Sequence, residues 1–179
     1  MAEKLFTSEV RVKSTTSLND NIAGKYVLTS ILEAQRRKLK PVLGEILYNK
    51  IKDLLVAGTL DSESGGVYKT LLDECQDFLA YSAAAIAYMK VSYKVGNFGV
   101  AKSQDENLQV ATPEEIITRR REAQTNADDC CHELQQFLLR NKADYPELTE
   151  SECHRIKSNL YSAATCGIWL GGIRGRILR

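Results

Sequence analysis

The chain has 179 residues, one domain's worth, and at 44% hydrophobic it can bury a sizeable core. Its 24 Lys and Arg against 23 Asp and Glu leave a net charge of +1, so overall charge makes no case for nucleic acid or an anionic membrane. With 3 prolines, no long Ser, Gly or Gln tract and no apolar run near the roughly 18–20 residues that span a bilayer, the composition argues against a disordered chain or a membrane span.

The N-terminus (Met1-Ala2-Glu3-Lys4-Leu5-Phe6) lacks an apolar signal region. The 5 cysteines include the adjacent pair Cys130-Cys131, which fits reduced thiols better than a disulfide framework. A soluble intracellular domain is expected. Asn21 can cap a first helix, with Val27, Ile31 and Ala34 at helical spacing; Pro41 should stop it near Lys40. Pro41 then suits the first turn of a second helix, whose apolar face is Leu43, Ile46, Leu47, Ile51, Leu54 and Leu55 and whose end is Gly58.

Asp61 to Gly66 is a turn by composition. A long helix over 67–94 follows, with Leu71, Cys75, Phe78, Ser82, Ile86, Met89 and Tyr93 stepping by four and three. Alanines widen this stripe, so the helix should be touched on several sides. Val100-Ala101-Lys102 and Leu108-Gln109-Val110 read as two strands around the polar turn Gln104 to Asn107, a hairpin standing off the bundle. Thr112-Pro113-Glu114-Glu115 is a strong helix start, and the helix should run to about Asn141 and pack antiparallel on the previous one. Tyr145-Pro146 breaks the chain, and Thr149 with Glu152 opens a last short helix. Thr165 to Ile173 is glycine-punctuated and apolar, and Arg174, Arg176 and Arg179 close the chain. The expected fold is an all-α bundle over 1–179 as a single domain. Its helical core lies at about 22–162, its hairpin loop at about 96–111 and an extended C-terminal arm at about 163–179.

Cys130, Cys131, His132, Cys153 and His154 invite a metal reading, but neighbouring helical residues point about 100° apart and no C-x₂-C or H-x₃-H spacing is present. No metal or other cofactor is expected. No nucleophile–base elbow or P-loop is present, and Glu114-Glu115 suits a helix N-terminus better than acid–base work. An enzyme is not expected. Three basic groups remain: Arg36-Arg37-Lys38 with Lys40, Arg119-Arg120-Arg121, and the C-terminal arginines. Arg119 to Arg121 lie near a helix N-terminus, the unfavourable end for cations, so they suit an acidic partner or DNA. The hairpin and the apolar arm suit edge pairing between subunits; the competing reading is that the arm packs on its own bundle.

The order of motifs resembles a known family. Leu5-Phe6-Thr7, Ile31 to Gln35, Val42 to Tyr48, Leu71-Leu72, Val95 to Val100, Leu134 to Asn141 with Tyr145-Pro146-Glu147, and Gly167 to Gly172 together look like head-to-tail connector proteins of tailed bacteriophages. The nearest likeness is to adaptor or ring proteins of phages infecting Bacteroidetes, the crAss-like group included. The resemblance implies a helical-bundle subunit, usually in twelve copies, docked under the portal ring of the virion neck after synthesis in the bacterial cytoplasm. Genomic DNA would pass through the channel without sequence-specific binding, and another neck or tail protein would dock on the ring. It implies that Gly167 to Arg179 reaches the portal or an adjacent subunit and that Gly96 to Ala111 faces neighbours or the tail. It carries over no catalytic residue, and the C-terminal arginines have no counterpart in it. The expected interface is therefore Gly99, Val100, Leu108 and Val110 with Ile168, Trp169, Leu170, Ile173, Arg174 and Arg176. The competing readings are a small helical DNA-binding factor using Arg36, Arg37 and Arg119 to Arg121, and a metalloenzyme, which would need stoichiometric zinc.

Overall fold

The computed structural model describes residues 4–18, 22–62, 65–96, 99–102 and 112–164, and most of them are helical. The chain begins with a helix not anticipated from its periodicity, α1 (Glu9–Thr15), capped by Ser8, whose hydroxyl accepts from the Arg11 N–H. Helix α2 (Gly24–Ala34) buries the expected Val27, Ile31 and Ala34. Asn21, the expected cap, lies outside the described residues, and Ala23 precedes the first turn instead.

The helix does not stop before Pro41. It widens into a π-helical turn, Gln35–Leu39, and continues as α3 (Lys40–Leu43). Proline has no N–H to offer the carbonyl four residues back, and its ring crowds that carbonyl. In the wider turn the Lys40 N–H donates to the Gln35 carbonyl, five residues back, and the chain stays helical through the proline. The break falls instead at Gly44, with φ 82° and ψ 162°, between α3 and α4 (Glu45–Ala57). Gly58 ends α4 in the left-handed conformation, φ 69°. Ile46, at the edge of the expected apolar face of α4, is 54% exposed.

Helix α5 (Gly66–Ser92) is the spine of the fold. It packs against α1, α2 and α6 (Pro113–Arg140), and α6 covers the largest part of it. Ala80, Ala83, Ala84, Ala85 and Ala87 are all buried there, so neighbouring backbones approach closely on more than one side. Tyr68 contacts Tyr145 at one end of the α5–α6 pair, while Met89 and Lys90 share a groove with Arg120 at the other, so α6 returns antiparallel along α5. Helix α6 opens with the full capping box: Thr112 Oγ1 accepts from the Glu115 N–H, and Glu115 Oε2 accepts from the Thr112 N–H. A 3₁₀ turn (Lys142–Asp144) leads to buried Tyr145, whose hydroxyl donates to the Val67 carbonyl, and then to α7 (Glu150–Ala164). Thr149 and Glu152 cap α7 reciprocally.

The strands fall elsewhere than expected. Helix α5 ends at Ser92, and β1 (Tyr93–Gly96) pairs antiparallel with β2 (Gly99–Lys102), Tyr93 opposite Lys102 and Gly96 opposite Gly99. The partner of Val100 is thus Val95, and this ribbon reverses between Gly96 and Gly99; the expected turn, Gln104 to Asn107, lies outside the described residues. The helical stripe runs on through Tyr93, so spacing alone extends α5 too far. Leu108 and Val110 lie outside the described residues; of the arm expected at about 163–179, Ala163 and Ala164 still belong to the last helix and the rest lies outside them. The helical core also begins earlier than position 22, since α1 packs on α5.

Candidate functional site

The π turn fixes the first wall of a groove. Gln35 and Leu39 are buried, so the intervening Arg36, Arg37 and Lys38 are turned to the surface. Gln35 is held firmly: its Oε1 accepts from the Phe6 N–H at 3.0 Å, and its Nε2 donates to the Lys4 carbonyl at 3.2 Å and to the Tyr48 hydroxyl at 3.0 Å. Arg37 and Lys38, with Glu33 from α2, face Lys90 of α5 and Arg120 and Gln124 of α6 across a cavity of about 350 Å³. Ala85, Ile86 and Met89 of α5 form its apolar floor.

Four cations and one carboxylate line this groove. Glu33 bridges two of the cations, 2.8 Å from Arg37 Nη1 through one oxygen and 2.8 Å from Lys90 Nζ through the other. The Lys90 hydrogen bond holds the Glu33 carboxyl below its ordinary range. Among the described residues neither Lys38 nor Arg120 has an ion-pair partner. The arrangement suits an incoming anion with an apolar group beside it.

The arginine triplet does not act as one patch. Successive helical positions diverge by about 100°. Arg119 is drawn back to Glu122 at 3.2 Å, Arg120 enters the groove, and Arg121 lines a separate shallow concavity with Thr118 and Thr125. Arg36 is exposed on the π turn and does not line the groove. Of the interface residues expected from the sequence, Gly99 and Val100 lie on β2, whereas Leu108, Val110, Ile168, Trp169, Leu170, Ile173, Arg174 and Arg176 lie outside the described residues. Lys90, Glu33 and Gln124 were not anticipated. The Glu33–Arg37 spacing of an i,i+4 ion pair was a usable signal, but Lys90 meets them only through the packing of α5 on α2.

Among the described residues no cysteine lines this groove, although Cys131 lies near enough to Lys38 to feel its charge. Among the described residues no group of three or more His, Cys, Asp or Glu is placed to hold a metal ion. Cys75 is fully buried and its thiol is pushed far up by burial; Cys131 is pushed up to about 11, by burial first and Asp128 second. A disulfide-exchange reagent at pH 8 should therefore leave Cys75 unmodified until the protein unfolds. Cys131 should react slowly, its rate rising steadily from pH 8 toward pH 11. Labelling followed by peptide mass mapping checks both, and fast reaction of Cys75 in the folded chain would contradict this packing.

Residues 39–158, about two-thirds of the chain, match the model of a family of unknown function, DUF6712. The chain belongs to that family. The matched DUF6712 span runs from the last residue of the π turn into α7. It takes in Lys90, Arg120 and the groove floor and begins just after Lys38. Comparison with curated proteins and with solved structures gives no match. Among the described residues no helix is long and apolar enough to cross a membrane.

Proposed function

We propose that this chain is a structural connector, the subunit of a ring of about twelve copies at the portal–tail junction of a tailed bacteriophage. The ring would extend the DNA channel and offer a platform for the next tail component. The observation that carries the reading is the β1–β2 ribbon. Among the described residues it has two strands, continues α5 directly, and shares more than marginal contact with no other helix. Two-stranded ribbons are marginal alone in water, and an edge left unpaired is a template for another chain. A neighbour's extended segment added to that edge would supply main-chain hydrogen bonds to an assembly contact. In this reading α5 and α6 are the central pair of the subunit, and the segment from Gly167 to Arg179 reaches the portal.

One observation favours a second reading, a helical DNA-binding factor: Arg37, Lys38, Lys90 and Arg120 share one groove. Its apolar floor and its internal carboxylate suit a phosphate backbone less well than a protein. Native mass spectrometry of the chain mixed with the portal assembly of the same virus tests the choice. The connector reading expects about twelve added copies of 20.0 kDa each, and a bare portal when the chain is truncated before Gly167 with its helical circular dichroism intact. A monomer that ignores the portal and binds duplex DNA, with a salt slope of about 0.9 per neutralised phosphate, would replace it with the second reading.

A further inference from the structure

We propose that the basic groove receives residues 104–110 of a second copy of this chain, a segment that sets Asp105 and Glu106 beside the apolar Leu108 and Val110. The inference rests on the ring reading and names the contact by which one copy holds the next. A ring needs a heterologous contact, in which one patch of the chain fits a different patch of the same chain. The groove and this segment form such a pair. Glu33 already neutralises part of Arg37 and Lys90, so two incoming carboxylates meet Lys38 and Arg120, which have no ion-pair partner among the described residues. Ala85, Ile86 and Met89 form a floor that a phosphodiester backbone has no apolar group to cover. A leucine or valine two to four residues beyond a carboxylate pair does cover it, and removing that apolar surface from water is favourable in proportion to its area. The segment follows β2 in sequence with one residue, Ser103, between them, so a copy whose ribbon meets its neighbour has this segment within reach of the same contact.

Two full-length variants separate the two sides: Lys38→Glu with Arg120→Glu reverses the groove, and Asp105→Lys with Glu106→Lys reverses the segment. Lys38 and Arg120 are exposed, and unchanged circular dichroism confirms folding. Sedimentation velocity, with and without the portal assembly, should show each variant losing ring formation. An equimolar mixture of the two should assemble, because every contact between unlike copies joins either the original pair of charges or the swapped pair. A chain carrying all four changes should assemble again. Assembly of both variants to the wild-type extent would overturn the groove contact while leaving the ring reading in place. Loss in both with no assembly of the mixture would also overturn it, since the two charge reversals then do not act at one shared contact.

A second measurement does not depend on ring formation. A fluorescent peptide of residues 104–110 should bind the Asp105→Lys, Glu106→Lys chain and bind at least about tenfold more weakly when Lys38→Glu and Arg120→Glu are added. Wild-type chain that stays monomeric on the portal, with the peptide still bound, refutes the ring reading alone. No peptide binding, or displacement of the peptide by a short duplex DNA at equal charge concentration, refutes the occupant.

Discussion

Gly44→Ala should cost about 2–4 kcal/mol of stability. Gly44 holds φ 82° and ψ 162°, a region of backbone space that essentially only glycine enters, and forcing a side chain there costs about 1–3 kcal/mol. A Cβ at this position would also overlap the Glu152 carboxylate. Glu152 is the residue that accepts from the Thr149 N–H to cap α7, and a lost cap costs about 1 kcal/mol. For a chain of this length the sum lowers Tm by roughly 4–16 °C. Thermal unfolding followed by circular dichroism measures it. The same substitution in a Glu152→Ala background should cost less, because the overlap is gone and only the backbone strain remains. A Gly44→Ala protein that melts within 2 °C of the parent would mean that the chain does not break here.

Gln35→Leu should destabilise by a similar amount, but locally. The side chain is fully buried at 0% exposure and joins three parts of the molecule: Lys4 and Phe6 of the N-terminal segment, the π turn, and Tyr48 of α4. Leucine fills the volume and satisfies none of these groups. The Phe6 N–H and the Lys4 carbonyl lose the Gln35 amide at a cost of about 1–3 kcal/mol each, less whatever water regains. Phe6 itself stacks on Tyr48 with ring centroids 5.0 Å apart, and its carbonyl accepts from Gln76, so its release loosens α1 from α5. Amide hydrogen exchange should accelerate at least tenfold across residues 4–18 while the amides of α5 keep their protection. Uniform acceleration throughout the chain would show that Gln35 supports the whole core rather than this one docking.

The parts of the fold that were legible in the sequence are those written in short-range chemistry. Thr112-Pro113-Glu114-Glu115 and Thr149 with Glu152 are caps whose donors and acceptors lie three residues apart, and both form as read. Gly58 ends its helix in the left-handed conformation that glycine tolerates best. Pro41 misled because the usual rule places a helix boundary before a proline, and a π turn meets the same steric demand by widening instead. Helix α1 has 7 residues and buries one of them, too few for a period to show. The register of the ribbon was hidden because Tyr93 fits the helical stripe of α5 as well as a strand. The groove was legible only as separate pieces: the basic runs at 36–38 and 119–121 stand out, but which member of each run faces the other is set by α2 and α6 packing on opposite flanks of α5.

The junction at Ser92 and Tyr93 joins the ribbon to α5 without a linker. A flexible connection would let the ribbon swivel while the bundle stayed still. Here the strand is the last length of a rod that runs through the middle of the molecule and touches α1, α2 and α6. Whatever grips the ribbon therefore holds the lever end of that rod. A partner on the ribbon is thus tied by continuous backbone to the helix that α1, α2 and α6 share and that floors the basic groove.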